Sequence, residues 1–109
     1  MFNLFEDINT GVKEYKASPG AVLIDVREVD EYNSGHIPEA VNIPLSSIEQ
    51  ISLPKSAPLF VYCLRGSRSK KVVEYLTSIG YTQARSIGGI KGYKGELKEC
   101  LTSSISEIF

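Results

Sequence analysis

Cysteine is scarce in this chain: Cys63 and Cys100, 37 positions apart, are the only two. They cannot form a disulfide scaffold, and the paired Cys/His clusters of a zinc site are missing, so no metal site is expected. A reducing, cytoplasmic setting fits this usage. Long apolar runs are missing as well. The N-terminal stretch MFNLFEDINTGVKEY is acidic and amphipathic. It has neither the basic and apolar regions of a secretory signal nor a run long enough to span a bilayer, so export and membrane insertion are not expected. No block of same-sign charge, no Pro/Ser/Gly tract and no internal repeat is present, which excludes a disordered or repetitive architecture. With 12 basic and 13 acidic residues the net charge is −1. Bulk attraction to nucleic acid or to anionic lipid therefore has no support, and any positive site must be local.

What is present is a foldable composition: 42% hydrophobic and 23% charged over 109 residues. That suffices for one compact domain spanning residues 1–109 and not for two cores. Phe5, Ile8, Val12 and Tyr15 recur at helical spacing until Ser18-Pro19-Gly20 breaks the pattern, which predicts an amphipathic helix over 4–17. Ala21 to Val26 reads as a strand buried on both faces, with Asp25 its only charge. A short helix is expected over 28–33 before Gly35, and a short second strand over 41–43 before Pro44. Ser46 and Glu49 have the spacing of a capping box for another short helix. Leu59 to Tyr62 is a further buried strand. Val72, Val73, Leu76 and Ile79 form the apolar face of a helix over about 67–79, stopped by Gly80. Ala84 to Ile87 reads as a strand, Gly88-Gly89 as a turn and 90–101 as a last helical segment. Strands alternating with helices imply an α/β fold in three layers, a central, mainly parallel sheet with helices on both faces.

In such a sheet, ligands bind beyond the carboxyl ends of the strands, where unpaired N–H groups at helix N-termini favour negative charge. Cys63 falls at that place. From Cys63 to Lys71 there are four cations, Arg65, Arg68, Lys70 and Lys71, and no acid. A lone cysteine at a strand end is most often a small buried hydrophobe. Here the glycine, the two arginines and the strand-to-helix context argue instead for a reactive sulfur. The nucleophile is the thiolate, and a free thiol with pKa about 8.5 is mostly protonated at neutrality. Guanidinium groups, a helix N-terminus and inward-pointing amides all favour the anion. Gly66 lets the loop bend, and Ser67 or Ser69 can cap the helix, so the segment Leu64, Arg65, Gly66, Ser67, Arg68 and Ser69 can close into a cup of amides.

Four stretches carry a family resemblance. They are Leu23 to Glu28, Gly35 to Pro44, Tyr62-Cys63 with the loop through Ser69, and Gly88-Gly89, in that order over about residues 5–99. The sequence resembles a single-domain rhodanese, a thiosulfate sulfurtransferase-like module. The resemblance implies the rhodanese-like three-layer fold. It also implies that Cys63 takes a sulfur from thiosulfate or a similar small anionic donor, holds it as a persulfide over the loop amides, and yields it to a thiol, to cyanide or to a sulfur-carrier protein. It implies no cofactor. Arg65 and Arg68 would draw in the donor. Asp25 and Arg27, with Glu28, Asp30 and Glu31 nearby, are expected to form an ion-pair network under the site.

His36, the single histidine, sits in a matching stretch where the family's role for it is structural. Cys100 could resolve an oxidised Cys63 as an internal disulfide, which the family does not require. Tyr93 stands where many relatives carry tryptophan, on what reads as a covering helix, and the tail 101–109 has no counterpart. Two other functions remain to be weighed. One is a persulfide carrier or docking module fed by a partner protein, with Leu64 as an apolar contact. The other is phosphatase or arsenate chemistry on a related loop. Cysteine phosphatases place an arginine six positions after the cysteine and commonly a histidine before it, whereas here Arg68 lies five positions on and Tyr62 precedes. The tighter loop favours a persulfide.

Overall fold

The computed structural model describes residues 7–100. Its elements are α1 (Ile8–Lys16), β1 (Val22–Asp25), α2 (Val29–Ser34), β2 (Val41–Asn42), a 3-10 helix (Leu45–Gln50), β3 (Leu59–Cys63), α3 (Ser67–Ser78), β4 (Ala84–Gly89) and a 3-10 turn (Ile90–Gly92). The four strands form one sheet in the order β2-β1-β3-β4, every pairing parallel. The α/β expectation holds, with helices on both faces.

Alternation along the strands sorts the core into two layers. Leu23, Phe60, Tyr62 and Ile87 face one side and pack against Ile8 and Val12 of α1. Ile24, Leu59, Val61 and Cys63 face the other and pack against Val72 and Leu76 of α3, with Ile48 and Tyr81. β3 is buried along its whole length because it has a strand on either side and a helix on either face. Burial of side chains the size of Val72 and Leu76, both 0% exposed, is worth about 1.5–3 kcal/mol each, which is why α3 is held firmly over the end of β3. Gly11 lets α1 approach closely, since a Cβ there would overlap Ile87.

Several boundaries differ from the sequence reading. α1 begins at Ile8, because the Asp7 side chain accepts from the Asn9 amide at 3.0 Å and caps it; Leu4 and Phe5 lie outside the described residues. The capping box falls on Glu28 and Glu31 of α2 rather than on Ser46 and Glu49. Leu45 is tied by its amide to the Val26 carbonyl at 3.0 Å and opens only a 3-10 helix with no side-chain cap. Gly88 and Gly89 belong to β4, not to a turn beyond it. The helix expected over 90–101 is absent among the described residues. After Gly92 the chain runs irregularly and Lys98 pairs with His36 in an antiparallel bridge, with amide and carbonyl exchanged at 2.8 Å in both directions. Tyr93 therefore covers the α1-side core from a loop. Residues 101–109 lie outside the described residues. Among the described residues no helix is long and apolar enough to cross a membrane.

Candidate functional site

Cys63 ends β3 on the face covered by α3 and is 1% exposed. The chain must then turn from strand to helix within three residues, and Gly66 supplies the turn with φ 109°, a left-handed conformation that disfavours side chains. This turn aims two amides at the sulfur. Gly66 N–H donates to Sγ at 3.0 Å and Ser69 N–H at 3.4 Å. The N-terminus of the 12-residue α3 lies directly behind them. Backbone amides and helix dipole together form a ready site for negative charge on or next to the sulfur.

Neither Ser67 nor Ser69 caps α3; Gly66 occupies the cap position and no side chain accepts there. Ser67 is exposed, whereas Ser69 is fully buried and turns its hydroxyl inward, 3.7 Å from the Cys63 sulfur and 3.0 Å from the Gly66 carbonyl. Leu64 packs on the α1-side core, and its carbonyl accepts from the Lys91 amide at 3.1 Å. Gly89 is needed for this closure: a Cβ there would overlap the Leu64 carbonyl and the Arg65 Cα. The end of β4 thus clasps the loop that begins at the end of β3.

The two loop arginines are not equivalent. Arg65 is exposed, and among the described residues no carboxylate pairs with it. Arg68 reaches across to α2 and binds Glu31 with both guanidinium ends, at 2.8 and 3.1 Å. The loop is therefore less positive than its own sequence suggests, because the fold brings in an acid from 37 residues upstream. The hydrogen bond from Arg68 is the main cause that holds the Glu31 carboxyl down at about 2, against the opposing effect of burial. The same contact raises Arg68 above its ordinary value.

A pH dependence follows. A depressed carboxyl contributes stability above its unfolded value near 4.5 and loses it as pH drops through about 2. Since both partners are about one-third exposed, screening leaves roughly 1 kcal/mol. Glu31→Gln is expected to lower the urea-unfolding free energy by about that much near neutrality. The difference from wild type should shrink toward zero as titration moves from pH 4.5 to 2.

Asp25 and Arg27 are brought together, but with each other rather than with the sulfur. The Asp25 carboxylate, 0% exposed, accepts from Arg27 Nε at 3.0 Å, from Nη2 at 2.7 Å and from the Arg27 amide at 2.9 Å. Arg27 Nη2 also donates to the Gly35 carbonyl at 2.7 Å, which ties the end of β1 to the turn before β2. Burial opposes the Arg27 charge, but Asp25 outweighs it and raises the guanidinium above its usual value. Glu28 accepts from Ser46 instead of joining an arginine. Tyr62, before the cysteine, points to the opposite face of the sheet and accepts from the Ile37 amide at 3.1 Å. Burial first, then the Asp25 charge, push its phenol far above the ordinary range. Cys100 is exposed, its amide on the Asn33 carbonyl at 3.0 Å.

Sequence reasoning missed the partners that arrive from elsewhere in the chain. Glu31 pairs with Arg68, whereas its nearness to Asp25 and Arg27 in the sequence suggests Arg27. Ser86, on β4, had no signal beyond its place in a strand, yet its hydroxyl lies 2.7 Å from that of Ser69. The Gly88-Gly89 pair was visible, but not the reason for it.

The family model described as Rhodanese-like domain matches residues 9–96. The thiosulfate sulfurtransferase GlpE of Tolumonas auensis is 34% identical over 79 residues, covering 70% of this chain and 74% of that protein. The adenylyltransferase and sulfurtransferase uba4 of Ogataea parapolymorpha is 31% identical over 101 residues, covering 88% of this chain, which spans only 26% of that longer protein. Among solved structures, a rhodanese with anions from E. coli superposes with a TM-score of 0.66 at 30% identity, covering 72% of this chain and 98% of that one.

Proposed function

Because this chain belongs to the rhodanese-like family, in which relatives of similar length are thiosulfate sulfurtransferases, we propose that it moves sulfane sulfur from thiosulfate or a similar anionic donor to a thiophilic acceptor through a persulfide on Cys63. The observation that carries the reading is the pair of amides aimed at the Cys63 sulfur at 3.0 and 3.4 Å. They suit a sulfur anion held in place without help from a metal or an organic cofactor.

In the first half-reaction the Cys63 thiolate attacks the outer sulfur of thiosulfate. A new S–S bond forms, the old one breaks, and sulfite leaves with its electron pair. The terminal sulfur of the persulfide then lies over the amides of the loop from Leu64 to Ser69. In the second half-reaction a thiol, cyanide or a sulfur-carrier protein attacks that terminal sulfur and restores the thiolate. Arg65, exposed and without a carboxylate partner among the described residues, attracts the donor. Arg68 keeps the loop against α2 through Glu31, a supporting role shared by the buried Asp25–Arg27 pair at the end of β1. The arrangement favours sulfur over phosphoryl chemistry: Arg68 lies five positions after the cysteine, and its Nη1 and Nη2 are both engaged by Glu31. The site works within a single domain, in a reducing cytoplasm that keeps Cys63 as a thiol.

The test is the intact mass of the reduced protein after brief exposure to thiosulfate. A gain of one sulfur atom that is removed by added thiol is expected. An unchanged mass overturns thiosulfate as donor and leaves a carrier loaded by a partner protein.

A further inference from the structure

The proposed chemistry begins with a thiol that must lose a proton, and no group named so far accepts it. His36 is committed elsewhere: its ring stacks on Tyr32 at 3.8 Å and its Nδ1 contacts the Tyr32 carbonyl at 2.9 Å. The side-chain polar atom bonded to the sulfur is the Ser69 hydroxyl, 3.7 Å away, toward which the Cys63 S–H donates. That hydroxyl is sealed from solvent, but it lies 2.7 Å from the hydroxyl of Ser86. Ser86 pairs with Val61 in the β3–β4 ladder and so shares the sheet face of Cys63. It is partly exposed. Thiol, buried hydroxyl and half-buried hydroxyl stand in a row that leads from the sulfur to water.

We propose that Ser69 and Ser86 form a two-hydroxyl relay that carries the Cys63 proton out and then turns a hydrogen bond onto the sulfur anion. The inference rests on the reading of Cys63 as the nucleophile. Each hydroxyl holds one proton and two lone pairs, which allows a hop in one direction. The S–H bond breaks and sulfur keeps its electron pair; the proton passes to Ser69 Oγ, the Ser69 proton to Ser86 Oγ, and the Ser86 proton to a water or buffer base. Each serine ends with one proton, now directed back toward the sulfur. The thiolate then has three donors: the Gly66 amide, the Ser69 amide and the Ser69 hydroxyl. The Gly66 carbonyl, which the Ser69 hydroxyl can otherwise serve, keeps the Lys70 amide at 3.2 Å, so the turn of the hydroxyl orphans no buried acceptor.

The charged groups around this row lie outside it. Arg68 on α3 is bound by Glu31 on α2, and Asp25 at the end of β1 is bound by Arg27. Arg85, next to Ser86 on β4, points to the other face, where it pairs with Glu14 of α1. A change of the Ser86 hydroxyl leaves these groups as they are. Ser86 is thus a positioning residue that acts through Ser69.

The test uses the full chain with Cys100→Ser, which leaves Cys63 as the only thiol, and follows its alkylation by iodoacetamide from pH 5 to 10. The reagent reads the sulfur directly and needs no sulfur donor, so its outcome is independent of whether thiosulfate is a substrate. Loss of the Ser86–Ser69 hydroxyl bond, which aims the Ser69 donor at the anion, corresponds to about a fivefold change. Ser86→Ala is expected to slow alkylation by about that factor near neutrality, with the deficit closing at high pH. Ser86→Thr, which keeps the hydroxyl, should stay within about twofold of the parent. Ser69→Ala should repeat the pH-selective deficit. Ser86→Ala indistinguishable from the parent at every pH overturns the relay. So does a uniform slowing at all pH values that Ser86→Thr shares, since that is the signature of packing alone.

Discussion

Cys63→Ser is expected to reduce sulfur transfer from thiosulfate to cyanide by a thousandfold or more, to about the uncatalysed rate. A serine hydroxyl is not an anion near neutrality and forms no sulfane bond, so both half-reactions lose their nucleophile at once. The fold should barely notice. A serine oxygen can still accept from the Gly66 and Ser69 amides that now serve the sulfur, so the unfolding free energy should change by no more than about 1 kcal/mol. Steady-state turnover with thiosulfate and cyanide, measured beside a urea-unfolding curve, separates the two effects. A variant that keeps more than about a tenth of the wild-type rate contradicts covalent catalysis by this residue.

Asp25→Ala has the opposite signature, a loss of stability before any loss of chemistry. Asp25 is 0% exposed and Arg27 5%, so removal of the carboxylate strands a guanidinium whose remaining hydrogen-bond partner is the Gly35 backbone carbonyl. An unpaired buried charge of this kind costs about 3–5 kcal/mol, a large share of the roughly 5–15 kcal/mol that holds an ordinary domain. The urea midpoint should drop steeply. Arg27→Met added to Asp25→Ala should recover much of the loss, because two apolar residues of similar volume often replace a buried pair at little net cost. A single variant within 1 kcal/mol of wild type would show that water reaches the pair.

The parts of this molecule that were legible in its sequence are those written contiguously. β1 and β3 announced themselves as short apolar runs because strands of a covered parallel sheet bury both faces, and α3 because its apolar residues keep a helical period until Gly80. The loop from Cys63 to Ser69 was legible for the same reason: strand-end cysteine, turn glycine and helix start follow one another. The irregular segment after Gly92 was not. Ile90, Tyr93 and Leu97 have helical spacing, but Gly92 and Gly95 weaken a helix there and the pairing of Lys98 with His36 draws the chain out. Ser86 stayed hidden behind a register shift. β3 and β4 slip between Val61 and Tyr62, so that Val61 faces Ser86 while Tyr62 already faces Gly88. This one-residue bulge brings Gly88 and Gly89 opposite Tyr62 and Cys63 just beyond Ser86, and it is set by tertiary pairing. Glu31 lay in plain view, but the choice between Arg27 and Arg68 as its partner depends on how α2 crosses the sheet.

The hold of Lys91 and Gly89 on the Leu64 carbonyl also dictates an order of events during synthesis. The ribosome emits Leu64 well before Lys91, 27 residues later, and domains assemble as their later segments emerge. Until β4 docks, a nascent chain carries Cys63 in a strand with its neighbouring loop still open. The closed loop therefore arrives last, together with the pairing of β4 on β3. A newborn chain exposes its thiol for that interval, and the amides of Gly66 and Ser69 reach the sulfur only when the fold is complete.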